Sequence, residues 1–300
     1  MCGAPVASVV VPTDISFPPI RRLGPGDLAR CAALSVDRGW APERAKWSLL
    51  LEASEVFGID APDGRGLAGS VTLTRWGADY AAVGMMLAAA RYERRGLGWA
   101  LMEHVLRAAG DGATVTLFAT DMGRPLYEKL GFAAVGRNVS FVGRFRGPSG
   151  RDGQGVRAAT EADLPAILDL DRAAFGADRG HILTRLPAFV DQIVIAEAGG
   201  PAGQAIAGYA AAWRNTPAST VIGPLVAPDG ETARRLVTAL AAGAPTPVRL
   251  DLDPDRAELP GWAHAHGLEP AGLRVTMVHG DVTERGTQGH LFAPISVALA

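Results

Sequence analysis

Between Tyr80 and Ala109 the chain reads as strand, turn and helix, and the turn constrains the fold more than any other segment. An apolar stretch, Tyr80 to Ala89, runs into Ala90-Arg91-Tyr92-Glu93-Arg94-Arg95-Gly96-Leu97-Gly98, and the spacing then predicts a helix over Trp99 to Ala109. A short Arg/Gly turn in that position presents consecutive backbone N–H groups at a helix N-terminus, where orphan donors and the helix dipole both favour an anion. Gly96 and Gly98 are expected to let the backbone approach a phosphate closely.

The next elements narrow the reading. Thr116-Leu117-Phe118-Ala119-Thr120 alternates as a strand, and Asp121-Met122-Gly123-Arg124-Pro125-Leu126-Tyr127-Glu128-Lys129-Leu130-Gly131-Phe132 follows. There Pro125 suits a first helical turn, Leu126 and Leu130 share a helical face, and Gly131 reads as a C-cap. In this order, over residues 20 to 145, the chain resembles the GNAT superfamily of acyl-coenzyme A-dependent N-acyltransferases.

Composition leaves room for that reading. Three hundred residues suit two domains of ordinary size, and 48% are apolar, enough for two packed cores. A net charge of −2 creates no global field that points to nucleic acid or an anionic membrane. Lysine occurs only at Lys46 and Lys129, with arginine in its place. Cys2 and Cys31 fit a reducing compartment without a disulfide framework. No apolar run spans a bilayer, Val9 to Val11 lacks a basic flank, and Pro12, Pro18 and Pro19 suggest a loose arm, so a cytoplasmic protein is expected.

A faint internal duplication is present. Ile20-Arg21-Arg22-Leu23-Gly24-Pro25-Gly26-Asp27-Leu28 resembles Val156-Arg157-Ala158-Ala159-Thr160-Glu161-Ala162-Asp163-Leu164, and both Asp27 and Asp163 are expected to cap the helix that follows. Leu67 to Ser70 echoes Ile206 to Tyr209, Val83 to Leu87 echoes Ile222 to Val226, and Leu130 to Phe132 echoes His266 to Leu268. The reading is an α/β fold of two tandem GNAT-like domains, each a mixed, mostly antiparallel central sheet flanked by helices. They are placed at 1–146 and 156–300, joined by a Gly/Ser/Pro-containing linker at 147–155.

The second copy has lost the turn: Ala227-Pro228-Asp229-Gly230-Glu231-Thr232-Ala233 stands in its place. Asp229 and Glu231 repel a pyrophosphate, and Pro228 lacks an N–H. Its later helix, Gly261 to His266, has no tyrosine. This copy is expected to shield the sheet, shape the acceptor cleft or mediate assembly, a homodimer being possible in the last case. The apolar end, Leu291 to Ala300, is expected to pack back as an edge strand.

The resemblance implies a direct attack by an amine on the carbonyl of acetyl-CoA. It assigns to the cofactor Met86, Leu87 and Ala88 on the strand, with Met85 beside them, whose backbone would pair with pantetheine amides in an oxyanion-type role. It adds Arg94, Arg95, Gly96, Leu97, Gly98 and Trp99 at the turn, with Arg91 contributing charge, and Thr120. Glu93 departs from the Gln or Arg usual there, and its side chain is expected to swing to solvent. Tyr127 matches the family's general acid: a phenol can donate to a departing thiolate. Asp79, Glu55, Asp60 and Asp121 are candidate bases, with water as the alternative. The acceptor is expected to be a small-molecule amine, with no nucleic acid or membrane involved.

The remaining candidates read as ordinary. His264 and His266 do not share a helical face, His104 belongs to a helix surface, and His181, His279 and His290 are scattered, so no zinc spacing and no metal are expected. Trp40 and Trp47 either line the acceptor pocket or pack in the core, and Cys31 reads as buried filler. A CoA-sensing or scaffold protein is the alternative function. Mycothiol synthase, another tandem GNAT enzyme, is a poorer match, because there the second domain carries the active motif.

Overall fold

The computed structural model describes residues 16–147, 155–198, 205–256, 258–281, 285–287 and 289–299. The expected N-terminal arm, apart from Pro18 and Pro19, and the interior of the expected linker lie outside them. The first half runs β1 (Arg21–Arg22), α1 (Leu28–Asp37), α2 (Arg44–Ala53), β2 (Glu55–Asp60), β3 (Leu67–Arg75) and β4 (Tyr80–Ala88). It continues with α3 (Leu97–Ala109), β5 (Thr114–Ala119), α4 (Arg124–Lys129) and β6 (Ala133–Gly143).

The second half repeats this order. It has β7 (Val156–Ala158), α5 (Leu164–Phe175), α6 (Gly180–Leu183), α7 (Leu186–Phe189), β8 (Gln192–Glu197), β9 (Ile206–Thr216) and β10 (Ser219–Val226). Then come α8 (Gly230–Ala241), β11 (Val248–Leu252), α9 (Glu258–Ala265) and β12 (Glu269–His279), and a last strand, β13 (Leu291–Ala293), closes the chain.

The local causes are legible. Helix α3 buries Leu97, Leu101, Met102, Val105 and Ala109, a stripe of helical period. Each of its large apolar side chains contributes about 1.5–3 kcal/mol by burial. The helix opens at Gly96 with φ 80° and closes at Gly110 with φ 97°, positions where a side chain would be strained. Asp27 and Asp163 behave differently from expectation. Neither caps the helix after it; each closes the preceding 3₁₀ turn, accepting from Gly24 N (3.1 Å) or Thr160 N (2.8 Å). Each also binds an arginine through both carboxylate oxygens, Arg21 in one half and Arg157 in the other.

The two sheets expected from the duplication are joined into one. The strand order is β1-β2-β3-β4-β5-β12-β6-β11-β10-β9-β8-β7, with β13 beside β10. The last strands are exchanged: β12 pairs with β5, β6 pairs with β11, and β6 and β12 pair antiparallel with each other at the centre. Each exchanged strand is paired on both sides over part of its length, β12 with β5 from Val275 to His279 and β6 with β11 from Val139 to Gly143. The halves therefore interlock across the 147–155 segment that divides them in sequence.

Helices α3, α4, α8 and α9 cover one face. Leu101 of α3 lies over Gly69, and Leu236 and Val237 of α8 pack with Ala210, Ala212 and Ile222. The other face carries α1, α2 and α5 to α7, with Ile167 and Ala174 of α5 on Ile195, Tyr209 and Val226. The tail after β13 runs over this second face. A Cβ on Gly223 would meet Pro294 O at 2.2 Å, and one on Gly84 would meet Ala298 O at 2.3 Å. Four residues reach at most about 14 Å, whereas five strand spacings between β4 and β10 in a flat sheet amount to about 24 Å. The sheet is thus curled around its own tail: the start of the apolar end forms the expected strand packed back on the sheet, as β13 beside β10, and the residues after it run on as an interior strap.

Candidate active site

Strands β4 and β5 run parallel and pair only from Tyr80–Thr114 to Val83–Leu117. Past Val83 they part. Met85 lies at φ 46°, and between Ser70 and Thr72 the β3–β4 register shifts, so β4 carries a bulge at the point of parting. Met86, Leu87 and Ala88 follow, and only β3 pairs with them, through Ser70–Leu87 and Gly69–Ala88. Their other edge opens into the gap.

The turn stands at the end of this edge. Arg94 (φ 58°) and Gly96 (φ 80°) both have left-handed backbone, and open space lies over Gly96. No side chain caps α3, so the N–H groups of Leu97, Gly98 and Trp99 point outward without a helical partner. Arg94 and Arg95 are exposed and form no ion pair among the described residues. Gly98 has a packing role that the sequence does not announce. A Cβ there would meet Leu126 Cδ2 at 3.0 Å and Met86 Cε at 3.7 Å, so its small size lets α3, α4 and β4 converge. Arg91 is engaged elsewhere, donating to Arg65 O at 2.7 Å and pairing with Asp63 at 3.3 Å. Glu93 is exposed, as expected, and Arg38 at the end of α1 pairs with it at 2.5 Å. That pairing offsets part of the acidic charge at the turn.

Helix α4 places Tyr127 7% exposed, between Gly123 and the ring of Phe132 at 5.9 Å. Its hydroxyl has no hydrogen-bond partner among the described residues. Burial alone pushes the phenol up to about 12, so it keeps its proton at neutral pH. Thr120, just past β5, caps the turn before α4 by accepting from Gly123 N at 3.3 Å.

Of the candidate bases, Glu55 pairs with Arg75 (2.6 Å) and Arg22, and Asp60 pairs with Arg30 (2.7 Å) and Arg21. Hydrogen bonds from Arg21 lower the Asp60 pKa, which makes it a weak base. Asp79 sits in the β3–β4 hairpin, paired with Arg285, and Asp121 is exposed before α4. None is brought against Tyr127. Trp47 is fully buried and donates to Ser35 Oγ (2.9 Å), so it is core, whereas Trp40 is exposed. Cys31 is buried filler, and burial pushes its thiol up to about 12.

The equivalent place in the second half is closed twice over. The β10 edge that corresponds to Met86–Ala88 is filled by β13, through Leu225–Ala293, Val226–Leu291 and a bond from Ala227 N to His290 O of 2.9 Å. The N-terminus of α8 is capped from within, Thr232 N donating to Asp229 Oδ1 at 2.7 Å. The loss of the Arg/Gly turn was visible in sequence; the occupation of the edge was not, because β13 lies 65 residues beyond its partner.

Comparison with known proteins shows the family and the fold. Residues 27–132 match the model of the acetyltransferase (GNAT) family, and residues 167–293 match that of an acetyltransferase (GNAT) domain. The uncharacterized N-acetyltransferase YitH of Bacillus subtilis is 30% identical over 178 residues, which span 59% of this chain and 62% of YitH. A candidate acetyltransferase from Pyrococcus horikoshii superposes with a TM-score of 0.78 at 20% identity, covering 96% of this chain and 98% of its own. A tandem GNAT protein from the clavulanic acid biosynthesis pathway superposes with a TM-score of 0.62 at 15% identity, covering 88% and 99%. The chain belongs to the GNAT superfamily, with two GNAT domains in tandem. Among the described residues, no helix is long and apolar enough to cross a membrane.

Proposed function

We infer that the first half transfers an acetyl group from acetyl-CoA to the amine of a small molecule in the cytoplasm, and that the second half binds no cofactor. One contrast carries the reading. The first half presents an open strand edge that leads to an uncapped helix N-terminus, and the second half has the same two features filled by its own chain.

The residues fit the group. Bound acetyl-CoA supplies an activated acetyl thioester. The N–H groups of Leu97, Gly98 and Trp99 would hold its pyrophosphate, with Arg94 and Arg95 adding charge-assisted contacts. The open edge of Met86, Leu87 and Ala88 would pair with its amide-bearing arm and orient the carbonyl. Tyr127 would donate its proton to the sulfur as the amine nitrogen bonds to the acetyl carbon and the C–S bond breaks. The proton lost by nitrogen passes to water, and Tyr127 regains one from solvent.

Calorimetric titration with acetyl-CoA tests the assignment. One equivalent per chain is expected. Gly96→Asp sets a carboxylate at the turn in a strained conformation and should abolish binding. Unchanged affinity in that variant, or two equivalents in the parent, contradicts the reading. A release of thiol with an amine panel distinguishes turnover from mere CoA sensing.

A further inference from the structure

The centre of the curled face holds an unbalanced cluster of charges. Strand register puts Arg274 of β12 opposite Asn138 of β6, and Ser140 opposite Asp251 of β11, with Arg249 two residues along the same face. Lys46 of α2 reaches down to this face, its Nζ 5.7 Å from the Trp213 ring, with Glu43 beside it. Glu43 is committed to Lys46 at 2.6 Å. Asp251 accepts from Arg249 at 2.9 Å and from Ser140 Oγ at 2.5 Å. Arg274 is left with the Ser140 hydroxyl at 2.8 Å, and its nearest carboxylate, Asp251, lies 3.9 Å away. Three cations thus face two carboxylates.

A surplus charge in a partly buried site is costly unless a partner compensates it. The surplus belongs to Arg274, whose charged form burial and the Arg249 cation disfavour. Its side chain is 22% exposed, so a solute can reach it. Across from it, Asn138 Oδ1 is buried with no partner among the described residues, which leaves an acceptor waiting for a donor. The position is close to the chemistry. Arg274 follows the Val275–Ala119 pair and so stands beside Thr120, about 10 Å into the opening that begins at Val83–Leu117. The opposite face of that opening is occupied by α3 and α4, so an acceptor must come from the Arg274 side.

We propose that Arg274 anchors a carboxylate of the acceptor, which makes the acceptor class amino acids and related amines with an acid group near the nitrogen. The inference rests on the acetyl-transfer reading above. It gives the strand exchange a purpose: only an exchanged β12 brings a second-half arginine to the first half's opening.

The test uses matched pairs, phenylalanine with phenethylamine, histidine with histamine, and lysine with cadaverine, in a thiol-release assay with acetyl-CoA. The parent should favour the acids by about tenfold or more in kcat/KM, the size of one charge-assisted contact. Arg274→Leu should erase that preference chiefly through KM, and Arg274→Lys should retain part of it. A parent that uses the amines as well as or better than the acids overturns the proposal. If no pair turns over, thermal unfolding with acetyl-CoA present decides. An upward shift by the acids, absent with the amines and in Arg274→Leu, upholds the anchor and counts against transfer. No shift with any acid overturns the anchor.

Discussion

Tyr127 is buried, yet its hydroxyl bonds to nothing described, so its proton serves no structural bond. Tyr127→Phe should therefore leave stability and acetyl-CoA affinity near the parent's, while kcat falls by about 10²–10⁴-fold, as for a positioned general acid. Retained turnover within a few-fold would remove Tyr127 from the chemistry. Asp27 is the opposite kind of residue. Arg21 grips its carboxylate at 2.7 and 3.0 Å and holds its pKa at about 2, below the ordinary 3.8. A carboxylate depressed in the folded state stabilises the fold above its unfolded pKa and loses that contribution as pH falls through its folded value. Asp27→Asn should cost about 1 kcal/mol near neutral pH, solvent screening included. The gap from the parent should close between about pH 4 and pH 2, read by denaturant titration at several pH values.

Two glycines show how elements meet. Gly96 is required by conformation, being at φ 80° in open space, whereas Gly84 is required by a neighbour. The neighbour is Ala298 O, a backbone atom that cannot rotate away. Gly84→Ala should displace the tail strap and lower stability by about 1–3 kcal/mol, an overpacking cost. Thermal unfolding measures it, and Gly98→Ala is the milder comparison, because there the first atom met belongs to a leucine side chain. The tail strap also explains an asymmetry between otherwise matching elements. β13 can fill only one of two equivalent edges, and it fills that of β10.

At the scale of the molecule, the exchange of β6 and β12 makes each half incomplete alone. The first half by itself would leave β5 without its outer partner, and the second would leave β11 so. The hairpins add reciprocal contacts: Trp76 and Tyr80 pack on Phe175, and Lys46 lies over Trp213. A chain cut between residues 147 and 155 should stay associated through gel filtration and unfold in one transition. Either fragment produced alone should lack cooperative unfolding by circular dichroism. Two separated transitions in the cut chain would contradict this account.

The sequence by itself determined the local and periodic features. An apolar run marked β4, alternation marked β5, the apolar stripe set α3, which begins two residues before the expected Trp99, and the Arg/Gly turn with Leu126-Tyr127 set the first half apart from the second. These follow from interactions within a few residues, and the echo at Gly84 and Gly223 marked two equivalent strands. Tertiary structure alone decided which last strand lies beside β5, what fills the β10 edge, and that Glu93 belongs to Arg38. It also decided that Arg274 faces the opening of the other half. The hydrogen-bonding pattern of a ladder does not by itself name the partner of β5. The choice is made by long-range packing of whole faces, which local pattern does not encode.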